Sequence, residues 1–285
     1  MKKYIYLLLS ISLFLTAISC TKEESSDDQE FFEYKYENND VSITQWEVVK
    51  NGDRFVIQAM GSGKNFAIEL DEYGHLASAA SYSTTDMSFP LSESFEYYSS
   101  YSFHINSFDI DVDNKMIKVS FDGLLYEDNY DIDSTTHNVS GKFNLKYAEV
   151  TETALSKMFC KIDSNDWRET DGSNSFSGSY EIEMSAYNDD AYILHLNFNT
   201  SNITTCNNQP FNDNSSLKMY LDIYDPQNDD FIYCPSNGII SITNHTAPTR
   251  LSYGFVEGTF SFTAVNSNTN QTYTINNGTF IQYYR

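Results

Sequence analysis

Alternation of apolar and polar residues runs through most of this chain, and it leaves room for little except β-sheet. Phe55-Val56-Ile57-Gln58-Ala59, Phe66-Ala67-Ile68-Glu69-Leu70, Tyr180-Glu181-Ile182-Glu183-Met184 and Tyr192-Ile193-Leu194-His195-Leu196-Asn197-Phe198 all carry a period of two. Aromatic and β-branched residues fill these runs, and Gly, Asn, Asp and Ser fill the gaps. A hairpin is legible where residues 108–112 and 116–121 flank Asp113-Asn114-Lys115. Past residue 20 no long stretch keeps a helical stripe, so the fold class is all-β.

The two halves of the chain resemble each other. Each carries an aromatic-acid-Gly strand, Val119-Ser120-Phe121-Asp122-Gly123-Leu124-Leu125-Tyr126 in the first and Tyr253-Gly254-Phe255-Val256-Glu257-Gly258-Thr259-Phe260-Ser261-Phe262 in the second, which sets Gly123 against Gly258. Each half closes on Gly-x-Phe-x-x-x-Tyr, at Gly141, Phe143 and Tyr147 and again at Gly278, Phe280 and Tyr284. The openings align as well, Phe32 with Met158 and Asp40 with Asp166, so that Val41 stands where the second half has Trp167. Duplication follows as an expectation, with the seam in the polar residues 148–157. The glycines are expected at bulges or turns, where a side chain would obstruct neighbouring backbone.

The N-terminus is of another kind. Lys2-Lys3, the apolar run 4–15, and Ala17-Ile18-Ser19 before Cys20 form the three parts of a secretory signal. The run is too short for a comfortable transmembrane helix. Cys20 after Ala17-Ile18-Ser19 resembles the lipobox of bacterial lipoproteins, which implies acylation at Cys20. Cys20-Thr21-Lys22-Glu23-Glu24 is similar to the surface-export signal of Bacteroidota lipoproteins, which implies an outer-membrane anchor facing the medium. Several acyl chains, at roughly 0.8 kcal/mol per buried methylene, would hold such a protein on a membrane essentially permanently. The expected organisation is a signal over 1–19, an acylated cysteine and acidic tether over 20–30, and two tandem antiparallel β-sandwiches over 31–150 and 151–285. The second of these, from Phe159 and Trp167 to Gly258-Thr259-Phe260-Ser261-Phe262-Thr263-Ala264 and Gly278-Thr279-Phe280, resembles a β-sandwich domain common in Bacteroidota lipoproteins. That resemblance implies no activity and carries over no catalytic residues.

Charge narrows the partners. Without Lys2 and Lys3, 15 of the 17 basic residues face all 40 acidic ones, a net charge of −25. Such a surface repels nucleic acid and anionic headgroups, so the membrane is expected to be met through the lipid alone. Of the cysteines beyond Cys20, Cys160 alternates with Met158 and Ile162 as a core thiol. Cys206 and Cys234 both lie near turns in a disulfide-permitting compartment and are expected to pair; the alternative leaves all three thiols free.

No catalytic signature accompanies the fold. His75, His104, His137, His195 and His245 are isolated, and there is no Gly-x-Ser-x-Gly elbow. Gly61-Ser62-Gly63-Lys64 lacks phosphate-loop spacing. Asp109-x-Asp111-x-Asp113 lacks the glycine and glutamate of a calcium loop, though loop acids at Asp189-Asp190 or Asp229-Asp230 leave calcium open. Asp133-Ser134-Thr135 resembles an O-glycosylation site of Bacteroidota exported proteins. Among 22 tyrosines, Tyr97-Tyr98-Ser99-Ser100-Tyr101 is the densest group, which makes Tyr97, Tyr98 and Tyr101 the candidate ligand platform. The expected function is a non-enzymatic binding or adhesion module without cofactor or metal, taking a protein or glycan ligand through its loops. Glycan capture beside a transporter is the alternative, and a hydrolase with acids from distant strands a third reading.

Overall fold

The computed structural model describes residues 29–85, 89–150, 156–177, 181–201, 203–249 and 252–284. Cys20, the signal and most of the tether lie outside them. Strands dominate, and the alternation explains why: Phe55, Ile57 and Ala59 are fully buried, and so are Phe66 and Leu70.

The first half has strands β1 (Phe31–Tyr36), β2 (Asn39–Val41), β3 (Ile43–Asn51), β4 (Arg54–Gly61), β5 (Asn65–Asp71), β6 (Leu76–Tyr82), β7 (Pro90–Glu93), β8 (Phe103–Asp111), β9 (Met116–Tyr126), β10 (Thr136–Lys146) and β11 (Ala148–Val150). The second has β12 (Lys157–Ile162), β13 (Asn165–Arg168), β14 (Asp171–Ser177), β15 (Glu181–Tyr187), β16 (Tyr192–Asn199), β17 (Cys206–Asn212), β18 (Lys218–Asp225), β19 (Asp230–Cys234), β20 (Ser236–Thr246), β21 (Gly254–Val265) and β22 (Thr272–Tyr284). In the second half, β13-β12-β22-β21-β20-β17 forms one sheet and β14-β15-β16-β18-β19 the other. The first half repeats this plan: β2-β1-β10-β9-β8 forms one layer and β3-β4-β5-β6-β7 the other. A single pairing, Glu93 with Tyr126, stitches the two layers into one continuous sheet that doubles over its core. Phe66 of β5 shows the doubling, its ring stacking on Tyr34 of β1 at 4.7 Å and on Phe121 of β9 at 5.1 Å. The plans differ in two insertions: β17 in the second half, and β11 running parallel to β3 in the first.

Local chemistry repeats with the topology. Glu37 and Asn38 (φ 50° and 61°) turn β1 into β2, and Asp163 and Ser164 (φ 48° and 76°) turn β12 into β13. Two consecutive residues with positive φ are the mark of a type I′ hairpin, whose twist suits the strands it joins. Lys35–Asp40 at 3.6 Å and Lys161–Asp166 at 2.7 Å close the same position of each hairpin. The turn acid also holds the closing strand: Glu37 Oε1 accepts the N–H of Asn138 at 2.8 Å, and Asp163 Oδ1 that of Thr274 at 2.8 Å.

The glycine-centred match between the halves needs correction. Gly141 lies opposite Phe121, and Gly278 opposite Phe260. With these pairs superposed, Gly123 corresponds to Phe262 and Gly258 to Val119, a shift of four residues from the alignment that the sequence suggests. The shared device is a phenyl ring lying across a glycine of the neighbouring strand. A Cβ on Gly278 would stand 2.4 Å from the Phe260 ring, and one on Gly141 2.6 Å from that of Phe121.

The expected bridge between Cys206 and Cys234 is absent: Cys160, Cys206 and Cys234 are free thiols. Cys206 begins β17 in the six-stranded sheet, with its Sγ toward the Ile240 carbonyl. Cys234 ends β19 in the five-stranded sheet, with its Sγ 3.6 Å from the Ile232 carbonyl. Proximity to turns places the two cysteines in different layers, and each thiol turns to its own strand region. Cys160 and Cys234 are fully buried, and burial pushes their thiols up to about 12 and about 11.

No described strand of one half pairs with a strand of the other. The halves meet through side chains. Phe95 and Tyr126 share a buried cluster with Tyr224, and the Arg168 guanidinium lies between Tyr73 at 4.0 Å and Phe159 at 4.4 Å. Lys157 pairs with Asp53 at 3.4 Å, and the Ser100 N–H donates to the Asp189 carbonyl at 2.9 Å. Asp189 and Asp190 sit in this seam. Burial pushes Asp190 up to about 7; Asp189 adds to the rise, while the Tyr192 N–H at 2.9 Å, the Trp167 indole and His75 oppose it. Asp189 is raised, again by burial first, and takes the Leu76 N–H from the other half. His75 is raised by its hydrogen bond with Asp71, 2.7 Å away.

Two predictions follow from this packing. Gly278→Ala should cost about 1–3 kcal/mol, because the Phe260 ring has nowhere to go in a filled core, and should lower the urea midpoint without altering its slope. Between its unfolded value and about 7, Asp190 keeps its proton only in the folded state, so its burial makes stability fall as pH rises across that window. A raised His75 acts in the same direction above its ordinary value. Urea midpoints measured from pH 5 to 8 should therefore decline in the wild type and decline less in Asp190→Asn, by at most about 1.4 kcal/mol per pH unit.

Candidate binding face

The outward face of β15, β16, β18 and β19 gathers rings and carboxylates. Ile182, Met184, Leu194, Leu196, Met219, Leu221 and Cys234 all point into the core. The intervening residues therefore point outward: Glu183, Ser185, His195, Tyr220, Asp222, Tyr224, Phe231 and Tyr233. Register places Ser185, His195 and Tyr220 in one row, Asp222 opposite Tyr233, and Tyr224 opposite Phe231.

Rings on this face touch in two groups. His195 stacks on Tyr220 at 4.4 Å, Tyr220 meets Tyr233 at 5.3 Å, and Tyr224 meets Phe231 at 5.4 Å. The strip then crosses the seam. Phe231 meets Tyr97 of the first half at 4.7 Å, and Tyr97 meets Tyr130 at 5.7 Å. Three of these residues are open to solvent: Tyr130 is 55% exposed, Tyr233 40% and Phe231 37%.

Carboxylates fasten the phenols. Tyr220 donates to Glu183, Tyr224 to Asp229 at 2.7 Å, and Tyr233 to Asp213. Burial, and then these donated bonds, push all three hydroxyls up, Tyr233 to about 12. They stay protonated at any physiological pH. Lys218 lies over the Tyr220 ring, its Nζ 5.5 Å from the centroid.

Ser185, His195 and Asp222 make a serine–histidine–aspartate group that the sequence does not disclose, because three strands supply it. Ser185 Oγ is 2.9 Å from Nδ1, and Asp222 Oδ2 is 3.2 Å from Nε2. Its surroundings do not suit acyl transfer. Ser185 is central in a sheet, paired on one side with Ser173 and on the other with His195, so neighbouring N–H groups belong to the ladder and not to an oxyanion hole. Ser185 and His195 are buried, and the imidazole is itself one of the stacked rings of the face. Three of the other histidines have partners elsewhere, His75 with Asp71, His137 with Glu37 and Glu127, and His245 with Tyr284, while His104 is exposed on β8.

Of the expected platform, Tyr101 alone presents an open ring, 50% exposed, with Tyr98 beside it at 5.6 Å. Tyr97 is half-buried among Phe95, Tyr130, Tyr224 and Phe231, and it ties the halves together. The rings that sequence reasoning missed, Phe231 and Tyr233, carried a signal: period-two alternation sets them on one face of β19 and Ile232 and Cys234 on the other, which packs in the core. Among the described residues no cluster of three or more His, Cys, Asp or Glu could hold a metal ion. Asp229 takes the Tyr224 hydroxyl, and Asp230 the N–H of Phe231 at 2.8 Å.

A second depression, of about 680 Å³, crosses β9, β10, β1 and β2 in the first half. Ser120 and Ser140 line it beside two ion pairs, Glu33 with Lys142 at 3.1 Å and Lys35 with Asp40, and Asp122, which accepts from Asn106. It adjoins a smaller cavity of about 340 Å³ at Asp122 and Ser140.

Residues 156–283 match a family described as a domain of unknown function (DUF6252). The match covers the second half, from β12 into β22, and leaves out the first. No curated protein and no solved structure matches the chain.

Proposed function

We propose that this chain is a lipid-anchored, non-enzymatic binding or adhesion module of the outer membrane, facing the medium, with its recognition surface on the aromatic strip. One observation carries the binding role: a run of touching rings, Tyr224, Phe231, Tyr97 and Tyr130, crosses two halves that share no sheet, with Phe231 and Tyr130 more than a third exposed and the exposed Tyr233 on the same face. Contiguous exposed apolar surface of this kind marks an interaction site, because water gains when a partner covers it. The location rests on Lys2-Lys3, the short apolar run and Cys20, and the outward orientation on Lys22-Glu23-Glu24. A net charge of −25 on the mature chain keeps the folded part off anionic headgroups, which suits display at the end of a tether. Glycan capture is the second reading, favoured by the carboxylates set beside exposed rings at Tyr233 and Phe231.

The anchor and its orientation can be tested separately. Cys20→Ala should move the protein from the membrane pellet to the soluble fraction. Protease added to intact cells should remove the wild-type folded part. Survival of that part until lysis would replace the outward orientation with one facing the periplasm.

A further inference from the structure

We infer that the aromatic strip is a docking surface for a basic segment of another protein, with arginine side chains laid on the rings of Phe231 and Tyr233 and held by the flanking carboxylates. The inference rests on the binding-module reading and adds the chemistry of the partner.

Charge around the rings is one-sided. Glu96, Asp128 and Asp229 act on Tyr97, Asp213 and Asp222 on Tyr233, and Glu183 on Tyr220. The cation found over these rings is the protein's own Lys218, tied by Nζ to the Asp213 carbonyl at 2.8 Å. An aromatic face attracts cations through its quadrupole. A phenol that donates its proton toward a carboxylate gains ring electron density, so the pairs Tyr220–Glu183, Tyr224–Asp229 and Tyr233–Asp213 deepen that attraction. Each carboxylate in such a pair keeps lone pairs for an incoming donor.

Partner chemistry follows by comparing costs. An anion meets the repulsion of these carboxylates. A neutral sugar can stack on the rings, but it desolvates the carboxylates without meeting their charge. A guanidinium does both: it stacks flat on a ring and bonds a carboxylate through its fork. The molecule already uses the stacking part of this arrangement, where Arg168 of the second half lies on Tyr73 of the first at 4.0 Å. Arginine is therefore preferred to lysine, whose compact ammonium gains the charge but not the stacking.

The test uses the full mature chain in detergent and two fluorescent peptides of alternating glycine and a basic residue, one with arginine and one with lysine. The arginine peptide should bind more tightly. Phe231→Leu and Tyr233→Leu leave net charge unaltered and keep an apolar side chain, and each should weaken the arginine peptide about three- to tenfold. Thermal melts of the variants confirm that each is folded. Asp109→Asn, an exposed acid on β8, should leave binding unchanged and reports general attraction to an acidic surface. Equal affinity for both peptides, unaffected by the ring variants, would overturn the inference. Binding to a neutral glycan array that both ring variants abolish, with no effect on the peptides, would overturn it too, yet leave the binding-module reading intact. Loss of neither would remove the strip as a recognition surface and that reading's support with it.

Discussion

A phenyl ring laid across a glycine of the neighbouring strand sets the register of each half. Phe121 covers Gly141 and Phe260 covers Gly278, and no other residue type fits beneath either ring. Register matters more here than in a helical protein, because a slip of one residue sends every inward side chain of a strand to water. β22 pairs with both β12 and β21, and β10 with both β1 and β9, so fixing these closing strands fixes both their neighbours. The turn acids Glu37 and Asp163 then bond the same strands a few residues away, pinning the hairpin to a register already chosen.

The outer face inherits this order. Once Leu221 and Cys234 are committed to the core, Tyr220, Asp222 and Tyr233 have no alternative to the outside. Paired register on β18 and β19 brings aromatic opposite aromatic and acid opposite phenol, so the strip and its carboxylates arise from the strand pairing itself. The burial of His195 and Tyr220 on an outward face has the same origin: stacked 4.4 Å apart, each covers the other.

Much of this was legible in the sequence, and the failures have physical causes. Alternation depends on one strand at a time, and it gave the all-β class and the duplicated openings, Phe32 to Val41 against Met158 to Trp167. Pairing between strands is not written locally. Glycine identity suggested that Gly123 and Gly258 correspond, whereas the ring opposite each glycine decides the equivalence. Cys206 and Cys234 share a turn-rich context, but the chain sends them to different sheets. Density of tyrosine at 97–101 signalled aromatics without saying which would be spent on packing; Tyr97 went to the seam. Ser185, His195 and Asp222 lie on three strands, so no spacing could disclose them.

The strip and the seam are mechanically one object. Tyr97 and Tyr130 belong to the first half, Phe231 and Tyr233 to the second, and their continuity requires the halves to keep their relative position. That position rests on Phe95 and Tyr126 against Tyr224, on Arg168 between two rings, and on Asp189, which accepts the Leu76 N–H while its carbonyl takes that of Ser100. Asp190 is beside that junction with its carboxyl raised by burial to about 7. Losing its proton places a second negative charge next to Asp189 at the point where the halves grip, and a protonated His75 across the seam offsets part of it. The strip is thus held in line by a joint whose own charge balance changes near neutrality.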